Sequence, residues 1–180
     1  MNPFIGELVT LAPLRREDIP TYTRWFQDYE VQRLLMPEVL VPFTSETEES
    51  WYESASRQTN GYTFGIRTLA EDKLIGNCSL FEISLKNRSA TFGIVLGEKD
   101  YWGKGYGTEA TRLTMRFGFD ELNLNRIQLE VYDFNPRARR AYEKAGFCHE
   151  GIRRQALFRE GQYWDIEIMA ILRDDWRAAM

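Results

Sequence analysis

Three glycines alternate with other residues at Gly103, Gly105 and Gly107, directly before Thr108. They follow an apolar, strand-like segment and precede a helical pattern, so they lie where a helix begins. Free backbone N–H groups and the helix dipole bind anions at such a position. The turn is therefore a candidate phosphate site. Its other members are Trp102, Lys104 and Tyr106. A tight turn whose glycines only supply positive φ angles explains the same residues equally well.

Two known phosphate motifs can be compared with this turn. The Walker A motif does not fit, because no Gly-Lys-Ser/Thr occurs at its spacing. The dinucleotide fingerprint fits in part, because Gly105, Gly107 and Ala110 satisfy G-x-G-x-x-A. Glu130 also follows at about the sequence separation expected of a ribose-binding acid. However, this motif begins past residue 100 and after a β-hairpin, so too few strands follow it for a doubly wound fold. A dehydrogenase is therefore a low-ranked alternative.

A second cluster begins at Asn135-Pro136. Asn as N-cap and Pro at the first helical position predict a helix, and Gly146 is a natural residue to follow its end. Ala138 and Tyr142 share one face of this helix, where small residues would let a ligand approach closely. Asn135 and Tyr142 are about two turns, or roughly 10 Å, apart along the axis. Both could therefore touch one extended ligand.

Strands and helices must position these two clusters. Apolar patterns predict strands over 8–11, 62–68, 74–83, 92–96, 126–132, 151–158 and 162–172. Helical spacing predicts helices over 16–35, 46–57, 108–119 and 136–145, the second of them preceded by a capping box at Ser45 and Glu48. We predict an α/β (α+β) fold in a single domain, residues 1–180, with a mixed sheet and helices on both faces.

The composition limits the class of protein. With 180 residues and 43% hydrophobic residues, the chain can bury a core without disulfides or metals. A net charge of -4 argues against a nucleic-acid partner, because such binding depends on cationic side chains. Cys78 and Cys148 lie in apolar segments and are expected to be buried free thiols. The chain has a single histidine, His149, so neither a zinc site nor a Ser-His-Asp triad is expected. We expect no metal, no membrane segment and a cytoplasmic location.

The two clusters together resemble the motifs of the GNAT superfamily of N-acetyltransferases. Residues 103–107 look like its motif A, and 135–138 with Tyr142 and 146–147 look like its motif B. The stretch 92–176 is similar to ribosomal-protein N-acetyltransferases and spermidine acetyltransferases. This resemblance implies the GNAT fold, a mostly antiparallel central sheet of six to seven strands flanked by helices on both faces. It also implies acetyl-CoA as co-substrate and a homodimer.

For the cofactor, the resemblance implies contacts with two parts of the chain. The diphosphate of acetyl-CoA would lie on backbone amides of 103–108. The pantetheine arm would pair like an added strand with Ile94, Val95 and Leu96. Many superfamily members have Gln or Arg at position 102, so Trp102 would lose one phosphate contact while leaving the backbone amides intact.

The second motif would complete the donor half of the site. Asn135 would bond the pantetheine arm, with the small Ala138 beside it. Tyr142 matches the tyrosine that acts as general acid toward the departing thiolate, since a helical side chain leans toward the helix N-terminus along that arm.

The expected acceptor is a primary amine, which must be neutral to attack the thioester. A polyamine amine of pKa about 10.4 costs roughly 4 to 5 kcal/mol to deprotonate at pH 7, whereas an α-amine near 7.8 costs only about 1. Glu82, on the strand before the cofactor strand, is the leading candidate for a base or water-positioning group, and an ordinary solvated strand carboxylate explains it equally well.

Position 91 bears on which amine is acetylated. Family members acting on polyamines often have an acid where this chain has Thr91. We therefore predict a protein or peptide N-terminal α-amine, with a polyamine or other small-molecule amine as the alternative. A non-catalytic acyl-CoA-binding sensor or interaction domain is the alternative of a different class.

Overall fold

A computed structural model describes residues 2–178 as one seven-stranded sheet with helices packed on it. The strands are β1 (Val9–Ala12), β2 (Gly61–Thr68), β3 (Leu74–Ser84), β4 (Ser89–Leu96), β5 (Arg126–Tyr132), β6 (Cys148–Arg159) and β7 (Gln162–Leu172). The helices are α1 (Ile19–Phe26), α2 (Tyr29–Leu35), α3 (Ser45–Arg57), α4 (Tyr106–Arg116), α5 (Pro136–Lys144) and α6 (Arg173–Ala178). None of the described helices is long and apolar enough to cross a membrane.

The sheet is mixed and mostly antiparallel, as predicted. Its strand order is β1-β2-β3-β4-β5-β7-β6, and β4 with β5 is the one parallel pair among the described strands. A doubly wound dinucleotide fold needs a mostly parallel sheet. The dehydrogenase alternative is therefore excluded by the topology.

The parallel pair is short, and this shapes the rest of the molecule. β4 and β5 are in register only from Ser89 opposite Arg126 to Thr91 opposite Gln128. Beyond Thr91 the two strands separate, while β5 continues to pair with β7 as far as Tyr132. The second half of β4 therefore has no strand partner on this edge in the described chain, and a gap opens inside the sheet.

Helices cover both faces of the sheet. Neighbouring residues of a strand point to opposite faces, and Leu74 and Ile75 of β3 join different hydrophobic clusters. Leu74 packs with the aromatic side chains of α1, among them Tyr22 and Trp25. Ile75 packs in the larger cluster, which contains residues of α4, α5 and α6. The predicted arrangement of helices on both faces is confirmed.

The helix predicted over 16–35 is wrong in one respect, because it is interrupted. A short 3-10 turn precedes α1, and α2 starts afresh after Asp28, whose side chain accepts a hydrogen bond from the Glu30 amide. The carbonyl of Phe26 is bound by the Gln32 side chain at 2.6 Å and by the Phe43 amide at 3.4 Å. These partners replace helical hydrogen bonds, and a periodicity argument does not detect them.

The predicted capping box at Ser45 and Glu48 is also wrong. The N-cap of α3 is Thr44, whose hydroxyl accepts a hydrogen bond from the Thr47 amide at 3.3 Å. Ser45 is therefore the first helical residue. Glu48 is 1% exposed, so its side chain lies in the core and does not cap the helix.

Three further expectations need correction. The helix predicted over 108–119 begins at Tyr106 and ends at Arg116, followed by a π-helical turn over Phe117–Glu121. The strand predicted over 151–158 extends to Cys148–Arg159. Cys148 is exposed because it begins this edge strand, whereas Cys78 is buried as expected.

Glu48 makes stability depend on pH. Its Oε2 atom has no hydrogen-bond partner among residues 2–178, and burial raises the pKa of its carboxyl to about 7. The folded chain therefore holds a proton that the unfolded chain releases near pH 4.3. The stability that this proton provides is full below about pH 4.3 and is lost as pH rises through 7.

We expect Glu48→Gln to raise the melting temperature by several degrees at pH 8, equivalent to about 1–3 kcal/mol, and to change it little at pH 4.5. Differential scanning calorimetry at both pH values measures the difference. The matched control is Glu49→Gln, because Glu49 is its exposed neighbour and should give no pH-dependent gain. Equal stabilisation by Glu48→Gln at both pH values would contradict the argument.

Candidate active site

A cavity of about 1670 Å³ occupies the gap between β4 and β5. Its walls come from β4, β5, the glycine turn with the start of α4, one side of α5, and α2. Ordinary small-molecule pockets measure roughly 300–1,000 Å³. This cavity therefore has room for one long ligand and a second substrate.

The glycine turn leads into α4 with a left-handed backbone. Gly103 has φ of 72°, and Gly105, the N-cap of α4, has φ of 93° with no side chain capping the helix. The first N–H groups of a helix have no acceptors within it, so the amides of Tyr106, Gly107 and Thr108 stay available to an anion. Positive φ angles at the glycines and free donors occur together here, so the two interpretations of the glycines are compatible.

The members of the turn differ in their relation to the cavity. Lys104 and Tyr106 do not line it. The ring of Tyr106 instead packs edge to face against Tyr101, with centroids 5.0 Å apart. The predicted members that do line the cavity are Trp102, Gly103, Gly105, Gly107 and Thr108.

The three predicted strand residues, Ile94, Val95 and Leu96, all line the cavity. They lie beyond Thr91, on the part of β4 that pairs with β3 but has no partner on its β5 side. An extended ligand with amide groups can add to such an edge through main-chain hydrogen bonds. This geometry supports the predicted pairing with a pantetheine arm.

Trp102 is held in place from two sides. Its indole N–H donates a hydrogen bond to the carbonyl of Leu96 at 2.7 Å. On its ring face lies the guanidinium of Arg137, with the Arg137 Cζ atom 3.7 Å from the ring centroid. Trp102 therefore links the glycine turn to the first turn of α5, a connection that the sequence pattern does not reveal.

The start of α5 is as predicted. Asn135 is the N-cap, and its Oδ1 atom accepts a hydrogen bond from the Ala138 amide at 3.2 Å. Both residues line the cavity. Capping occupies the side-chain oxygen, which leaves the Asn135 amide nitrogen as the donor available to a ligand.

Tyr142 lies on the inner side of α5. It is 9% exposed, and its ring packs against Phe92 and Phe147 with centroids 6.3 and 6.1 Å away. It lines the cavity, and its hydroxyl makes no hydrogen bond within residues 2–178. Burial raises the pKa of this hydroxyl above its ordinary value. The group therefore stays protonated at neutral pH and is free to donate.

Glu82 lies on an irregularity of β3. The register with β4 shifts between Phe81 and Ser84, and Glu82 has a φ of 53°, which is uncommon for a residue other than glycine. Bulges of this kind redirect side chains and are frequent beside active sites. Glu82 lines the same cavity as Tyr142, and its Oε2 atom accepts a hydrogen bond from the Thr91 hydroxyl at 2.8 Å.

Glu109 is a residue of the site that sequence reasoning missed. Its carboxylate, in the first turn of α4, accepts hydrogen bonds from the amides of Glu7, Leu8 and Val9 at 2.7, 2.7 and 2.8 Å. It thereby fixes the segment before β1 next to the glycine turn, with Leu8 beside Gly105. An acid in the first turn of a helix is a weak signal of such a contact. An acid at that position interacts favourably with the helix dipole even when it has no hydrogen-bond partner elsewhere in the chain.

Comparison with known proteins agrees with this geometry. Residues 9–148 match the family described as "Acetyltransferase (GNAT) domain". "Probable N-acetyltransferase YjcK" of Bacillus subtilis (strain 168) is 39% identical over 124 residues, which are 69% of this chain and 68% of that protein. "Spermidine N(1)-acetyltransferase" of Escherichia coli (strain K12) is 30% identical over 170 residues, covering 94% of this chain and 89% of the relative.

A solved structure is similar over nearly the whole chain. It is the spermidine N-acetyltransferase from Vibrio cholerae in complex with CoA and spermine, with a TM-score of 0.85 and 27% sequence identity. The match covers 94% of this chain and 98% of that one. The fold of the present chain is therefore the GNAT fold.

These findings identify the class of protein as an acyl-group transferase built on the GNAT fold. The chain belongs to the GNAT acetyltransferase family and is an acetyl-CoA-dependent N-acetyltransferase. The free helix amides, the unpartnered strand edge and the large cavity all suit acetyl-CoA as co-substrate.

Proposed function

We propose that this enzyme acetylates a primary amine of a small polycation such as spermidine or spermine. The observation that carries the proposal is the carboxylate of Glu82, which lines the same cavity as Tyr142. Relatives that act on spermidine support the same class of acceptor. This choice replaces the α-amine that the sequence alone favoured.

The prediction of an α-amine acceptor depended on the absence of an acid at position 91. In the folded chain the Thr91 hydroxyl donates to the Glu82 carboxylate at 2.8 Å, so an acid from the neighbouring strand lies beside this position. A second carboxylate, that of Glu130, also lines the cavity, where it contacts Arg153. Two carboxylates that line one cavity suit a substrate with several ammonium groups better than a peptide with a single α-amine.

The chemistry requires one proton acceptor and one proton donor. Deprotonating an amine of pKa about 10.4 at pH 7 costs roughly 4 to 5 kcal/mol, so a polyamine acceptor needs a base. Glu82 accepts this proton, directly or through a water molecule. The amine nitrogen then forms a bond to the carbonyl carbon of the thioester as the C–S bond breaks. Tyr142 supplies a proton to the leaving sulfur, and the proton that the nitrogen loses on becoming an amide restores the tyrosine hydroxyl by way of solvent.

We expect kcat/KM for spermidine and spermine to exceed that for a lysine-free peptide with a free α-amine by tenfold or more. A base held in the cavity benefits the more basic amine, and the carboxylates bind the remaining ammonium groups. The measurement is release of free CoA, with mass spectrometry of the products. Preference for the peptide, or no CoA release with any of these amines, would refute the proposed acceptor.

The role of Glu82 as a base is tested by replacing it with glutamine, with a second glutamate, Glu71, as the matched control. Glu82→Gln should lower kcat/KM for the polyamine about 10- to 100-fold at pH 7, with activity recovering above about pH 9 as the amine loses its own proton. Glu71→Gln makes the same chemical change in the exposed turn between β2 and β3 and should behave like the wild type. A pH profile of Glu82→Gln parallel to that of the wild type would rule out its role as a base.

A further inference from the structure

Arg137 differs from Arg139, the arginine of α5 that has acidic partners. Arg139 pairs with Glu143 at 3.1 Å and with Glu167 at 3.0 Å. Arg137 makes no ion pair and no hydrogen bond within residues 2–178, although it is half-buried and lines the cavity. In the described part of the chain, its guanidinium stacks on the face of the Trp102 ring. The guanidinium therefore has all its N–H groups available for a ligand.

Arg137 is a half-buried cation with no ion pair among the described residues. Removing a guanidinium from water is unfavourable unless it is paired, so burial lowers the pKa of Arg137, whereas the charge of Glu30 acts in the opposite direction and raises it. Stacking on an aromatic face compensates in part, because the ring attracts a cation electrostatically. The stack leaves the edge of the planar guanidinium, with its N–H groups, free to bind an anion.

The position of the stack indicates which anion this is. Trp102 directly precedes Gly103, and its indole N–H is fixed on the carbonyl of Leu96. The guanidinium therefore stacks on the residue that directly precedes the glycine turn, and this turn leads to the free amides at the start of α4. Planar guanidinium groups bind two phosphate oxygens at once.

We propose that Arg137 binds the diphosphate of acetyl-CoA together with the glycine turn, and that Trp102 is the residue that positions it. The diphosphate is then held from both sides of the cleft, by amides at the start of α4 and by a side chain from the start of α5. Trp102 thus provides indirectly the phosphate contact that its own side chain lacks. This inference depends on the use of acetyl-CoA and is independent of the acceptor amine.

Direct binding measurements test the proposal. Calorimetry with CoA, 3′-dephospho-CoA and, by competition, pantetheine separates the parts of the ligand. We expect Arg137→Ala to raise the dissociation constants of CoA and 3′-dephospho-CoA about 10- to 100-fold and to leave that of pantetheine within about twofold. Trp102→Ala should give the same pattern, and the double variant should lose little more than either single one.

Two further variants serve as controls for the binding measurements. Trp102→Phe keeps an aromatic face for Arg137 and should retain most of the CoA affinity. Arg57→Ala removes an exposed arginine at the end of α3 and should leave all three ligands unaffected. Unchanged CoA affinity in Arg137→Ala overturns the proposal. A loss restricted to CoA assigns Arg137 to the 3′-phosphate, and an equal loss for pantetheine assigns it a packing role, so either result also overturns it.

Discussion

Replacing Tyr142 with phenylalanine is expected to lower kcat by about 10²- to 10⁴-fold, the usual contribution of a positioned general acid. The KM for acetyl-CoA should change by less than about threefold, because the ring keeps its contacts with Phe92 and Phe147. Only the hydroxyl is lost, and within residues 2–178 it has no other partner. Steady-state kinetics with acetyl-CoA and spermidine measure both constants.

The chain offers a second tyrosine as control. Tyr132 also lines the cavity, but its hydroxyl donates to the carbonyl of Leu35 at 3.0 Å. Tyr132→Phe should therefore lower stability by about 1 kcal/mol and leave kcat within a few-fold of the wild type. If Tyr142→Phe has an unchanged kcat, Tyr142 is not the proton donor.

Placing a glutamate at position 105 is expected to abolish acetyl-CoA binding. Gly105 is the N-cap of α4, and a carboxylate there would occupy the anion position and repel the diphosphate. Wild-type protein saturated at 100 times the dissociation constant should gain about 2.7 kcal/mol of stability. Gly105→Glu should gain nothing in the same thermal-shift measurement.

The control must carry the same backbone strain. Gly161, in the turn between β6 and β7, has φ of 79°, close to the 93° of Gly105, and a Cβ there meets no atom within 4 Å. Gly161→Glu therefore introduces the same side chain into a similar left-handed backbone away from the cavity, and acetyl-CoA should still stabilise it. Normal acetyl-CoA binding by Gly105→Glu would mean that the phosphates lie elsewhere.

Local patterns predicted the elements whose boundaries are set locally. β5 and β7 have the predicted bounds, 126–132 and 162–172, because turn residues flank alternating apolar ones. The break between α1 and α2 was not predictable in this way. It depends on Gln32 and Phe43 binding the carbonyl of Phe26, and a hydrophobic period does not encode these contacts.

In the candidate site, too, the features set by local motifs were predictable, whereas those set by distant contacts were not. The glycine turn and the Asn135 cap are short motifs with a local mechanism, so the sequence was sufficient to predict their geometry. Glu82 was predicted on the correct strand, but its access to the cavity depends on a bulge in the pairing with β4. The stack of Arg137 on Trp102 joins residues far apart in the chain, and only the folded structure reveals it.

The three hydrogen bonds that Glu109 accepts also bear on how the protein is made. Their donors, residues 7–9, precede their acceptor by 100 to 102 residues. At about 5–20 residues per second, a ribosome adds Glu109 roughly 5 to 20 s after it has finished β1. Contacts of such long range also form slowly, because closing a long loop is entropically unfavourable. The hydrogen bonds that hold the segment before β1 next to the glycine turn therefore form only after Glu109 has been synthesised, long after their donors.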